Sequence, residues 1–151
     1  MTPSQTWVNF CTLLAGLYPD CKVHRMYVPF DDFEHLSIAE RPEVYVQLNN
    51  FNTSQITLNK TLEESYQFRI TYLWKMRDVN DMVELDKKLN AMQDYLTVFS
   101  NKTYDLDDVQ RFYFSQATCE LVYDEDLLAN QGVFVSTYIV PISVYRDVSQ
   151  H

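Results

Sequence analysis

Tyr66-Gln67-Phe68-Arg69-Ile70-Thr71-Tyr72-Leu73-Trp74-Lys75-Met76 decides the fold. Every second side chain from Tyr66 to Met76 is large and apolar, and those between are mostly polar. A period of two belongs to a strand, so this segment predicts a half-buried strand with a heavily aromatic inner face. Such a face has to be covered by another layer, and two segments of the chain have the pattern to do it.

The first is at the start. Thr2-Pro3-Ser4-Gln5 has the form of a capping box with proline at the first helical position. Trp7, Phe10, Cys11, Leu14, Leu17 and Tyr18 then recur every three or four residues, one apolar stripe on a helix that ends at Pro19-Asp20. The second begins at Asp81-Met82-Val83-Glu84, again a capping box, and runs through Met82, Leu85, Leu89, Met92 and Leu96. Only about two heptads are present, so a helix lying on a sheet is expected rather than a coiled coil.

Further strands are expected at Lys22–Val28, at 43–51 (Val44, Val46 and Leu48 on one face, Tyr45 and Gln47 on the other), at Arg111–Val122 and at Val133–Tyr145. In the last, Phe134, Tyr138, Val140, Ile142 and Val144 share a face that Ser136 interrupts. Fully extended it spans roughly 40 Å. Pro141 has no N–H for a ladder and favours an edge, a bulge or a bend. Pro29–Arg41 reads as a long loop anchored by Phe30, Phe33, Leu36 and Ile38, and a loop of that length suggests function or a partner. Asn49–Ser54 reads as a turn, Asn101–Asp108 as an acidic loop, and Asp124-Glu125-Asp126 with Gly132 as a separator between strands. Gln55–Asn59 extends a hairpin, and Lys60–Glu64 reads as an exposed arm. The whole is one α+β domain over 1–151, an antiparallel or mixed sheet packed against two helices, with a long loop or projecting hairpin.

The chain has 151 residues and a formal charge of -9, from 12 basic and 21 acidic side chains. Such a balance opposes general nucleic-acid binding, which depends on Lys and Arg neutralising phosphates. It does not oppose enclosing DNA, since an acidic wall repels a duplex and keeps it from sticking. No segment has the form of a signal peptide, and no run approaches the ~20 apolar residues of a membrane span. Cytoplasmic folding is therefore expected, and the sequons at Asn52, Asn59 and Asn101 are expected to be incidental.

The catalytic repertoire is thin. The chain has no GxSxG, P-loop, HExxH or GxGxxG pattern. Cys11, Cys21 and Cys119 with His24, His35 and His151 lack zinc-site spacing, and the acidic clusters Asp31-Asp32-Glu34 and Asp124-Glu125-Asp126 lack the ligand order and turn glycine of an EF-hand. No enzyme, cofactor or metal site is expected.

Taken in order, the elements resemble the tail terminator and tail completion proteins of tailed bacteriophages. The resemblance is carried by the helix Gln5–Tyr18 with its Tyr-Pro-Asp ending and the strand Lys22–Val28. Pro42-Glu43-Val44-Tyr45-Val46 opens the next element, Tyr66–Tyr72 precedes the helix Val83–Leu96, and Pro141–Tyr145 closes the last strand. It implies a structural protein of the virion neck, built in the host cytoplasm as a ring, usually of six copies, at the head-proximal end of the tail tube. Its partners would be the tail tube protein and the head completion protein, with DNA passing through without sequence-specific binding. Such rings ask for sheet edges that continue from one subunit to the next. Candidate edges are Gln55–Asn59 and Val133–Tyr145, with Gln55, Ile56, Thr57, Leu58, Val133, Val135, Thr137 and Ile139 as candidate subunit-interface residues. The alternative is an acidic adaptor or host-interaction protein that engages a basic protein partner.

Overall fold

A computed structural model describes residues 2–39, 41–55, 61–99, 103–105 and 111–147. Among the described residues three α-helices and a curled mixed sheet of seven strands form an α+β fold. The helices are α1 (Pro3–Leu17), α2 (Met82–Thr97) and α3 (Glu125–Gln131). The strands are β1 (Lys22–Arg25), β2 (Glu43–Gln55), β3 (Thr61–Lys75), β4 (Thr103–Asp105), β5 (Arg111–Phe114), β6 (Thr118–Leu121) and β7 (Val133–Asp147). They lie in the order β1-β2-β3-β7-β5-β4, with β6 also against β7. Only β1 and β2 run parallel among the paired strands.

The aromatic face of β3 is the centre of the core, as its alternation requires. Tyr66, Phe68, Ile70, Tyr72, Trp74 and Met76 are all buried. Trp7, Phe10 and Leu14 of α1 cover one half of that face, and Phe10 stacks on Phe68 at 4.4 Å between ring centroids. Met92, Tyr95 and Phe99 cover the other, with Tyr95 stacked on Tyr72 at 5.2 Å. The caps form where the sequence sets them. Thr2 and Gln5 close a reciprocal capping box, and Asp81 accepts from the backbone N–H groups of Val83 and Glu84. The stripe expected along α2 is buried only toward its C-terminal end. Met82 and Leu89 are exposed, while Tyr95 and Phe99, outside that stripe, supply the anchors.

A second, smaller core lies on the opposite face of the sheet, where Tyr45, Leu73, Val133 and Val135 are buried under Met26, Phe30, Phe33 and Leu36. The long loop thus folds back as a cover. Phe30 stacks on Tyr45 at 4.4 Å, and Tyr45 in turn on His24 at 4.7 Å. Of the four expected anchors, Ile38 alone is exposed, bridging Lys75 by its backbone.

Several sequence-based expectations are corrected. Asn49–Ser54 is strand, not turn: β2 runs on to Gln55 paired with β3, and a bulge between Leu48 and Asn50 absorbs one residue. That extra residue resets the alternation, so that Phe51 rather than Asn50 faces Tyr66, at 4.9 Å. Glu64 is buried in β3, its carboxylate accepting from the Tyr66 hydroxyl, so the exposed arm does not reach it. Thr103–Asp105 is a short strand on β5 rather than loop, and Asp124 caps a helix where a turn was expected. Gly132 ends that helix with φ of 65°, a left-handed position that suits glycine.

The largest correction concerns Val133–Tyr145, expected as an edge. β7 pairs with β3 along its whole length, from Thr61↔Asp147 to Lys75↔Val133, and carries β5 and β6 on its other side. It is an inner strand. Pro141 is tolerated because its carbonyl, and hence the position of its missing N–H, faces the break between β5 and β6, where Ser115 N–H donates to it. Opposite that proline the expected single strand Arg111–Val122 divides in two.

Candidate functional site

A sheet leaves backbone donors and acceptors unpaired wherever a strand lacks a neighbour, and these borders are the chain's most distinctive surface. Among the described residues β1 has β2 on one side only, and its pairing covers just Glu43–Val46. Met26 N–H adds one bond to the Val46 carbonyl, and beyond it β2 from Leu48 to Gln55 has no strand on its outer side among the described residues. That open stretch carries neither charge nor proline, the usual guards of an edge, and the sequence from Val44 to Asn59 contains neither. The opposite border is made by β4 and β6.

The expected interface residues divide accordingly. Gln55 ends the open part of β2, while Ile56, Thr57 and Leu58 lie outside the described residues. Val133 and Val135 belong to the second core, Thr137 is buried opposite Leu121, and Ile139 is half-buried opposite Thr118. Thr137 and Ile139 lie between β3 and β6 and offer no edge, whereas Val133 and Val135 lie opposite β3 alone, beyond the end of the β6 ladder at Thr137, with their side chains buried in the second core. The sequence reading expected a strand at Lys22–Val28 but did not name it as a border, because side-chain alternation is the same in inner and outer strands.

Each border also exposes apolar side chains. Val8, Tyr27 and Val28 lie on the β1 side, Tyr27 packing edge-on against Trp7 at 4.9 Å with the Arg25 guanidinium 5.0 Å from the Trp7 ring centroid. Val122 and Tyr123 follow β6. The middle of the sheet's back face is polar, with Arg69 donating to Glu120 at 3.2 Å.

The buried hydroxyls are structural rather than reactive. Tyr18 donates to the Tyr95 carbonyl at 2.9 Å. The Tyr72 hydroxyl lies beside that of Tyr18 without meeting strict hydrogen-bond geometry, so it is buried and poorly satisfied. Burial pushes the Tyr72 and Tyr18 phenols well up and that of Tyr95 to about 12, despite the nearby Arg41. It also pushes the Cys11 thiol to about 12 and raises that of Cys21, so neither is an activated nucleophile. Tyr72→Phe is therefore expected to leave stability unchanged or raise it by up to about 1 kcal/mol, and Tyr18→Phe to lower it by about 1 kcal/mol. Urea melts of the two variants check this; a Tyr72→Phe protein less stable than Tyr18→Phe would contradict it.

In the covering loop His35 Nδ1 lies 2.5 Å from Asp32 Oδ1, and that hydrogen bond raises the imidazole above its ordinary 6.5. The folded-state value being the higher, the contact's contribution is complete below pH 6.5 and disappears as pH rises through the raised value. NMR titration is expected to show a raised His35 in the native chain and an ordinary one in Asp32→Asn; equal values in both would exclude the contact.

A cleft of about 400 Å³ lies between Ile38-Ala39, the end of β3 and the first turns of α2. Most of its charges are engaged: Lys88 reaches Glu84 at 3.8 Å and leans over Trp74, Lys75 donates to the Gln131 carbonyl, Asp78 accepts from the Asn80 N–H, and Asp81 caps the helix. Among the described residues no three His, Cys, Asp or Glu side chains converge on a metal position, and no helix is long and apolar enough to cross a membrane. Set against known proteins, the chain matches no family model and no curated protein.

Proposed function

We propose that this chain is a structural assembly protein of a tailed phage, forming a ring at the head-proximal end of the tail tube. The ring would join the tube to the head connector while DNA passes through its middle. The observation that carries this is the pair of open sheet borders, one of which includes an eight-residue uncharged edge from Leu48 to Gln55. Unpaired backbone groups in an unguarded edge favour pairing with another chain. The order of elements resembles that of tail terminators, and the surplus of carboxylates suits a wall past which DNA must slide without binding.

Native mass spectrometry and electron cryomicroscopy of the purified chain, alone and mixed with tail tubes, test the proposal. A closed ring, in solution or seated at one tube end, is the expected result. A chain that stays monomeric in both conditions and leaves tube ends bare would overturn it.

A further inference from the structure

The two borders differ in charge. The charged side chains of β1 itself, Lys22 and Arg25, are both basic and exposed, with Arg41 drawn to the Tyr95 hydroxyl and to Asp20 beside the start of the strand. The carboxylates Asp31, Asp32 and Glu34 lie in the covering loop, Asp32 taken up by His35. The nearby Glu43 carboxylate accepts from the Tyr45 hydroxyl at 2.8 Å. The other side has the reverse sign. From Phe112 to Tyr145 the sequence holds Glu120, Asp124, Glu125 and Asp126 and not one Lys or Arg. Glu120 is paired with Arg69 and Asp124 caps α3, which leaves the exposed Glu125 and Asp126 as the outward charges. Each border sets these charges beside exposed apolar residues, Tyr27 and Val28 on one and Val122 and Tyr123 on the other. An apolar centre with a charged rim is the composition of a protein interface.

We propose, building on the self-assembly proposed above, that the occupant of the β1 border is the β6–α3 border of a second copy. The copies join head to tail, with Lys22 and Arg25 of one facing Glu125 and Asp126 of the next. Pairing of like borders is disfavoured, because a two-fold axis would bring Lys22 and Arg25 against themselves, or the α3 carboxylates against theirs. Contacts between unlike surfaces repeat in one sense and close into a ring when the rotation per copy allows. The same geometry leaves the Leu48–Gln55 edge on the interface side of every subunit, continuing the border that β1 begins.

The test uses charge reversal in the full chain. Lys22→Glu with Arg25→Glu makes both borders acidic, and Glu125→Lys with Asp126→Lys makes both basic. Each double variant alone is expected to associate at least ~100-fold more weakly than the native chain, since like charges then face each other. An equimolar mixture of the two is expected to recover assembly, with the variants alternating and an even number of copies by native mass spectrometry. Circular dichroism confirms that each variant is folded; because Arg25 rests on Trp7, Lys22→Glu with Arg25→Gln replaces the first variant if it is not. Native chain that assembles while both variants assemble equally well overturns the pairing of borders and leaves the ring intact. Native chain that stops at dimers, with an association that one of the two double variants leaves unchanged, overturns it in favour of like-border pairing. A native chain monomeric both alone and with tail tubes removes the ring itself.

Discussion

Phe68→Ala is expected to cost about 4 kcal/mol, the scale of deleting a fully buried phenylalanine from a core. Phe68 is wholly inaccessible to solvent at the middle of β3, with Phe10 stacked on it at 4.4 Å and Tyr66 at 5.9 Å. Helix and sheet meet at this ring, so its loss opens a cavity that neither layer can collapse to fill. A domain of ordinary stability has about 5–15 kcal/mol in total, so one truncation removes a large share. Denaturant unfolding of the variant measures the change. Val28→Ala, at a 64% exposed position, is the control and is expected to stay within about 0.5 kcal/mol. A Phe68→Ala loss under 2 kcal/mol would mean that the two layers are not packed through this residue.

Val140→Pro is the second large effect, expected at about 3 kcal/mol or more, because it leaves a buried backbone acceptor orphaned as well as losing the valine packing. Successive residues of a strand turn their N–H groups to opposite sides. The Pro141 carbonyl faces β5 and β6, so the Val140 N–H faces β3, where its partner residue is Phe68. One position therefore accepts a proline because the neighbouring strand is broken there, and the adjacent position does not. Pro141→Thr, which restores a donor toward the break, is expected to change stability by under about 1 kcal/mol. The pair of melts tests the ladder between β7 and β3: a Val140→Pro cost no larger than that of Val140→Ala would mean that the Val140 N–H is not held by β3.

Most of the elements were legible in the sequence because their signals are local. The alternation from Tyr66 to Met76 sets β3, the capping box at Thr2 and the N-cap Asp81 set the helix starts, and the shared face of Phe134, Tyr138, Val140, Ile142 and Val144 is the buried face of β7. The misses have physical causes. Asn-rich 49–54 has turn composition, yet pairing with β3 holds it extended and a bulge corrects its facing. The 30–36 loop is the cover of a second core that its own phenylalanines build over Tyr45 and Leu73, a packing role its length alone did not reveal.

By itself the sequence determined the two long helices, the main strands and most of the side chains that face inward from them, since these follow from the periods of 2.0 and 3.6 along one stretch of chain. Tertiary structure alone decided which strands are neighbours, placing β7 between β3 and the β5–β6 pair and leaving β1 and the end of β2 open. A strand's neighbours are set by hydrogen bonds to residues far away in the chain, and its own side chains alternate identically at the centre of a sheet and at its border. Only when the order of strands is known is β1, with Lys22 and Arg25, seen to lie at one border of the sheet and β6, which leads into α3, at the other.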